Sequence, residues 1–345
     1  MAAMLWRLLV LLLVVLLLTC DSENPPSVVV VYTSLDEHYS RPILEEFERS
    51  SGIRVLARYD TEADKTTGLF RRLLAERSRP HADLFWNSEV LRTVLLAREN
   101  VLAPGVPAIP EFPAWARDPD GRWSGFAARA RVFLYNTTRL KPADAPRFLE
   151  DLTLPRHKGR AAMALPLFGT TATHVGALRA TLGRERMEWL LKKIKENGVR
   201  IVQGNAQVRD LVVAGDVDFG LTDSDDAHEA LRAGKPVAIV FPDQESPIPG
   251  KEEALGTCLI PNTIGLVAGG PHQREARALA EFLLSAPVEE RLSRSGSAQI
   301  PLRSGVPLPE GLRLPTGLKT MEVDFAAAAR GLEEAEPFLR DLFVR

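Results

Sequence analysis

Five consecutive residues, Val28-Val29-Val30-Val31-Tyr32, limit the fold more than any other feature of the chain. A β-branched run without polar alternation suits a strand buried on both faces, the kind found in parallel sheets covered by helices. The run ends in Thr33-Ser34-Leu35-Asp36-Glu37, where Ser34 and Glu37 have capping-box spacing, and Ile43, Leu44 and Phe47 then mark a helical face that Gly52 closes. Ile53 to Tyr59 reads as a second strand, and Asp60-Thr61-Glu62-Ala63-Asp64 opens a second helix carrying Leu69, Leu73 and Leu74. Asp83 to Trp86 is a third strand, and Asn87-Ser88 begins a third helix through Leu91, Val94 and Leu95. Strand, polar cap and helix have then occurred three times, which predicts an α/β lobe built on a parallel sheet.

A second lobe of the same class follows. Phe126 to Asn136 alternates and puts Arg129 and Arg131 on one strand face, where they can snorkel, form ion pairs or meet a ligand. Gly159 to Leu165, Val199 to Val202 and Val217 to Leu221 read as strands, with a helix from Asn205 to Ala214. Gly256 to Val267 is apolar, is broken by Pro261 and Asn262, and suits a segment crossing back to the first lobe. His272 to Ser285 is an amphipathic helix, and a Pro- and Gly-rich stretch precedes a last helical region ending near Val344. With 345 residues, 45% of them hydrophobic, the chain is long enough for two well-formed cores.

The chemistry concentrates where strands end. Gly215 to Leu221 stops in Thr222-Asp223-Ser224-Asp225-Asp226, at a strand's carboxyl end and a helix's amino end, where open α/β sheets bind ligands. The competing reading is local, because Asp223 and Asp226 have cap-like spacing and acids are favoured in any first helical turn. Thr170 and Thr171, in Phe168-Gly169-Thr170-Thr171, can hold an anion with the free N–H groups of a helix start, although a capped helix without a ligand has the same sequence. A formal net charge of -2 excludes a phosphate-neutralising nucleic-acid binder. The six histidines show no metal-ligand spacing, and a glycine phosphate loop, a Gly-x-Ser-x-Gly elbow and His-Glu-x-x-His are all missing.

Residues 1–20 read as an export segment: Arg7 precedes an apolar run from Leu8 to Leu18, too short to span a bilayer comfortably. Leu17-Leu18-Thr19-Cys20 resembles a bacterial lipobox, with Thr19 in place of the usual smaller residue, and predicts lipidation at Cys20 with 21–27 as a tether, the alternative being a plain signal peptide cut nearby. The expected location is periplasmic or at the cell surface, on a lipid anchor. Cys258, in an apolar run, reads as a small buried residue, and the two cysteines suggest no disulfide framework.

Several stretches together resemble the solute-binding proteins of ABC importers, specifically the ferric-iron-binding type. They are Tyr32-Thr33-Ser34-Leu35-Asp36, Tyr59-Asp60-Thr61-Glu62-Ala63, Ala82 to Glu89, Pro166 to Thr171, Gly220 to Asp226 and Ile260-Pro261-Asn262-Thr263. The resemblance implies a type II-like periplasmic-binding-protein fold, with two lobes joined by crossing strands and a ligand cleft between them. It divides the chain into a first lobe of 28–125 plus about 265–305, a second lobe of 126–264, and a C-terminal helical segment, 306–345, packed on both. It also implies a monomeric binding protein, not an enzyme, that needs no cofactor and delivers its ligand to a permease driven by an ATPase. The iron ligands of that type map onto Asp36, Glu62, Asp225 and Asp226, the last two standing where the type carries tyrosines. Four carboxylates suit a hard cation such as Fe(III), which a small anion can accompany. A second cargo remains open: Thr33, Ser34, Asn87, Arg129, Thr170 and Thr171 can take a phosphonate or carboxylate, while Trp86 and the acids, Asp223 included, receive an amine, as in an aminophosphonate or polyamine, although Trp86 reads equally well as a core aromatic at a strand end. Paired acids across a cleft also occur in carboxylate-dependent hydrolases, which turnover would reveal.

Overall fold

The computed structural model describes residues 27–60, 68–246 and 254–344; the expected export segment with Cys20, most of the tether and Glu62 lie outside the described residues. Among the described residues no helix is long and apolar enough to cross a membrane.

Strand β1 (Val28–Thr33) pairs in parallel with β2 (Arg54–Tyr59) on one side and β3 (Leu84–Asn87) on the other. Helices α1 (Glu37–Ser51), α2 (Gly68–Ala75) and α3 (Leu91–Arg98) alternate with them. α1 buries Ile43, Leu44 and Phe47, and Gly52 ends it at φ 70° with its N–H donated to Glu48 O, the left-handed cap that glycine adopts at least cost. Two helix starts depart from the sequence reading. Asp36 is the N-cap of α1 and makes no side-chain cap bond, while Ser34 Oγ donates to Asn87 Oδ1 at 2.6 Å. α3 begins at Leu91, not at Asn87-Ser88, because Glu89 accepts from the N–H groups of Leu91 (2.7 Å) and Arg92 (3.0 Å). The hydroxyl and amide at the strand ends satisfy each other across β1 and β3, so the caps they were expected to form are not made.

After the short β4 (Leu102–Ala103), the long strand β5 (Trp123–Asn136) is buried throughout. The later elements are β6 (Ala161–Ala164), α4 (Gly169–Leu182), α5 (Arg184–Glu196), β7 (Arg200–Val202), α6 (Asn205–Ala214), β8 (Phe219–Asp223), α7 (Ser224–Arg232) and β9 (Val237–Val240). β10 (Leu259–Val267), α8 (Gln273–Leu283), α9 (Ala286–Arg294) and α10 (Phe325–Phe343) complete the chain. The strands run in the order β2-β1-β3-β10-β5-β8-β6-β7, with β4 on β10 and β9 on β5. The first part of β5, Trp123–Ala130, pairs with β10, and its second part pairs with β8 and β9. These pairings are antiparallel, so parallel groups stand at both ends of a mixed sheet and β5 belongs to both halves.

Pro261 and Asn262 do not break β10 as the sequence suggests. The strand runs on with a register shift between them, a bulge that Ala127 accommodates at φ 41°. Glu289 Oε1 accepts the Ala127 N–H at 2.9 Å and Asn262 Nδ2 donates to Ala127 O, which holds this disfavoured conformation in place. Far from the bulge, α10 lies against both α4 and α3. A Cβ on Gly176 of α4 would stand 2.7 Å from Ala328 O of α10 and 2.8 Å from Leu91 Cδ1 of α3, so the three helices meet where only a hydrogen fits.

Candidate functional site

The acidic stretch lies at the carboxyl end of β8 and in the first turn of α7. β8 reaches that point because Gly220 leaves room for Val208 of α6, which a Cβ there would strike. The strand then runs to Asp223, two residues beyond the expected Leu221, and α7 starts at Ser224.

Asp223 is the N-cap residue of α7 but makes no side-chain cap bond. Its buried carboxylate accepts from Arg131 Nη1 (2.5 Å), Thr170 Oγ1 (2.5 Å) and Asn205 Nδ2 (2.9 Å). Arg131 is wholly buried, and a guanidinium in that position needs a counter-charge far more than a helix needs a side-chain cap. The same bonds occupy the hydroxyls expected to hold an anion: Thr170 turns to Asp223, and Thr171 Oγ1 lies 3.5 Å from Asn205 Oδ1.

Asp225 and Asp226 are placed differently. Asp225 Oδ2 lies 3.1 Å from Arg129 Nε and Asp226 Oδ1 3.8 Å from Arg209 Nη1, with 19% and 21% of their side-chain surfaces exposed. One carboxylate oxygen from each of Asp223, Asp225 and Asp226 falls within 4.8 Å of the others. The surrounding protein desolvates Asp226, and the charges of Asp225 and Asp223 add to that, so its carboxyl is pushed well above the usual range. Desolvation also raises Asp225, opposed by Arg129 and reinforced by Asp223. Burial works against the charge on Arg129, yet Asp225, Asp223, Asp36 and Asp226 outweigh it and its pKa is raised.

The first turn of α1 faces this group. Burial raises the pKa of the Tyr39 phenol, and Glu229, Asp225, Asp36 and Asp226 raise it further, which puts α1 and α7 in one electrostatic neighbourhood. Of the four acids expected to hold a metal, Asp225 and Asp226 stand together with Asp223, while Asp36 acts on Arg129 and Tyr39 by its charge and is not one of that close group; Glu62 lies outside the described residues.

The remaining candidates brace the site. Thr33 Oγ1 accepts from Leu35 N–H at 3.2 Å, and Ser88 N–H and its hydroxyl both meet Ser34 Oγ. Asn87 Nδ2 reaches Glu89 O at 2.5 Å and Thr93 Oγ1 at 3.1 Å. Of the two readings of Trp86, the structure favours the core aromatic. It sits mid-sheet, paired to β1 and β10, has no exposed surface, and packs 6.0 Å from the Phe126 ring, so it cannot form the aromatic wall of an amine cage. Cys258 is buried as expected, and burial pushes its thiol up to about 12.

Tyr39, Asn205, Arg209 and the full role of Arg131 were not found as site residues from the sequence. Tyr39 stands three residues after Asp36, a spacing that shares a helix face, and Asn205 opens a helix just past a strand end. Those two signals were available. Nothing local marks Arg209 or joins Arg131 to Asp223.

Comparison with known proteins gives this geometry a setting. The chain is similar to Iron uptake protein A1 of Synechocystis sp., 26% identical over 300 residues that cover 83% of this chain and 79% of that one. It is 27% identical to the Fe(3+)-binding periplasmic protein of Serratia marcescens over 304 residues, 86% of each chain. Its fold matches that of iron-bound HitA from Pseudomonas aeruginosa with a TM-score of 0.78 at 23% identity, covering 92% of this chain and 100% of that one. The architecture is thus the α/β fold of periplasmic binding proteins. Residues 95–317, well over half of the chain, match the profile of the bacterial extracellular solute-binding proteins, and the protein belongs to that family.

Proposed function

We propose that this chain is the extracytoplasmic solute-binding component of an ABC importer, that its cargo is ferric iron, and that it hands the ion to a membrane permease driven by an ATPase. The observation that carries the reading is the close group of carboxylates at the start of α7, where Asp223, Asp225 and Asp226 each bring one oxygen within 4.8 Å of the others and the carboxyls of Asp225 and Asp226 are held above their usual range by desolvation and neighbouring negative charge. A hard cation relieves that repulsion, and carboxylate oxygen is a ligand type that suits Fe(III). Asp36 and Asp226 contact the ion from opposite halves, with Glu62 as the fourth ligand, so binding favours closure through contacts the open form lacks. Arg129, beside the acids, is the partner for a small anion that accompanies the metal. The similarity to iron-uptake proteins supports the same cargo. The N-terminal apolar run ending at Cys20 supports export and a lipid anchor, which keeps the protein near its permease.

An amine or aminophosphonate cargo is the weaker reading, because Trp86 is closed off in the core and Thr170 is bound to Asp223. A hydrolase is weaker still, the family being one of binding proteins.

The test is native mass spectrometry with metal analysis on protein stripped of metal and reloaded from ferric citrate. One ferric ion per chain is expected, with loading reduced about tenfold or more in Asp226→Asn, a loss in the range expected when a charged ligand becomes neutral. An organic adduct without metal would refute iron and leave the transport role standing.

A further inference from the structure

A groove of about 440 Å³ lies outside the acidic site, between α2 and α3 on one side and α10 and the turn before α4 on the other. Its volume falls within the range of small-molecule pockets, about 300–1,000 Å³. Five arginines line it against three glutamates, a surplus of two positive charges on a chain whose formal charge is -2.

The arginines are not equivalent. Arg98 is engaged by Glu333 through two bonds of 2.8 Å, and Arg340 by Glu336. Arg71, Arg77 and Arg92 have no carboxylate within salt-bridge distance among the described residues, and Arg92 stacks instead over the Phe70 ring at 5.0 Å. Leu74 and Leu95 supply apolar wall, and Phe168 stands at the mouth with 41% of its surface exposed, among the most exposed large apolar residues described.

The geometry points to a second ligand site in this groove, one that takes an organic carboxylate with a flat apolar body. Guanidinium forks match a carboxylate in two-point geometry, and exposed aromatic and leucine surface favours a ligand that buries carbon as it pairs its charge. Inorganic phosphate offers charge without that apolar surface and is the weaker ligand. The inference does not depend on the cargo of the acidic site.

Isothermal titration of the full chain with sodium benzoate, and separately with inorganic phosphate, tests it. Benzoate is expected to bind one to one and more tightly than phosphate. The surface variant Arg71→Gln/Arg77→Gln should weaken benzoate about tenfold, and Phe168→Ser about threefold with phosphate unchanged, the sizes expected for lost charge-assisted bonds and lost apolar contact. Ferric loading should stay the same in both variants. Absence of benzoate binding at millimolar concentration, affinity unchanged in the arginine variant, or phosphate binding as tightly as benzoate would each overturn it. So would loss of benzoate binding in Arg129→Gln alone, which would put the carboxylate in the acidic site.

Discussion

Replacing Asp223 and Asp226 one at a time by asparagine should change stability in opposite directions. Asp223 neutralises Arg131 through Nη1, on a side chain with no exposed surface whose Nε and Nη2 make no hydrogen bond among the described residues, and it also accepts from Thr170 and Asn205. Removing one partner of a buried ion pair costs about 3–5 kcal/mol, and the lower end applies because asparagine Oδ1 can still accept one bond. At about 2–4 °C per kcal/mol, Asp223→Asn should lower the melting temperature by about 6–12 °C. Asp226 works the other way. Its carboxyl is raised, so its contribution to stability is present below the ordinary aspartate pKa and is lost as pH rises through the folded value. At pH 7.5 the metal-free fold carries that penalty, and Asp226→Asn should melt higher than the parent. At pH 4 the gain should shrink toward zero. Thermal melts of metal-free protein at the two pH values, with ferric loading measured in parallel, decide the matter. Asp223→Asn melting like the parent, or Asp226→Asn melting lower at pH 7.5, would refute the division of these acids into a structural brace and a cargo ligand.

Two further predictions concern the scaffold. Burial pushes the Asp243 carboxyl up to about 7, its Oδ2 makes no hydrogen bond among the described residues, and its φ of 59° is one that asparagine also adopts. Stability from this group is present below about pH 4 and lost as pH rises through 7, so Asp243→Asn should stabilise the protein at pH 8, by at most about 4 kcal/mol, and leave it unchanged at pH 4. Urea denaturation at the two pH values checks this, and equal midpoints for parent and variant at pH 8 would contradict it. Gly176→Ala should destabilise by about 1–3 kcal/mol, because the new methyl would meet Ala328 O and Leu91 within 2.8 Å; an unchanged denaturation midpoint would mean that α3, α4 and α10 are not packed as described.

The sequence revealed strands and helices wherever residue type and period act locally. The valines of β1, the apolar face of α1 and the span of α6 follow from a dozen residues each, and the structure returns them nearly unchanged. The reading failed where a side chain had two possible partners, one nearby in sequence and one distant. Ser34 was expected to cap its own helix and instead bonds Asn87, 53 residues away; Asp223 was a cap candidate and instead binds Arg131, 92 residues away. In both cases the distant partner is buried and would otherwise go unsatisfied, a cost larger than the roughly 1 kcal/mol that a cap contributes. Trp86 stays undecided in the sequence for a related reason: a four-residue strand does not show that both of its faces are covered. The same logic divides the motif. Thr222 to Asp226 reads as one acidic site, yet Asp223 is saturated by three donors, Asp225 shares Arg129, and the cation nearest Asp226 among the described residues is an arginine 3.8 Å away. Three aspartates in four residues differ in their surroundings, and the distance to the nearest cation, 2.5, 3.1 and 3.8 Å for Asp223, Asp225 and Asp226, absent from any local pattern, ranks them from the most to the least neutralised.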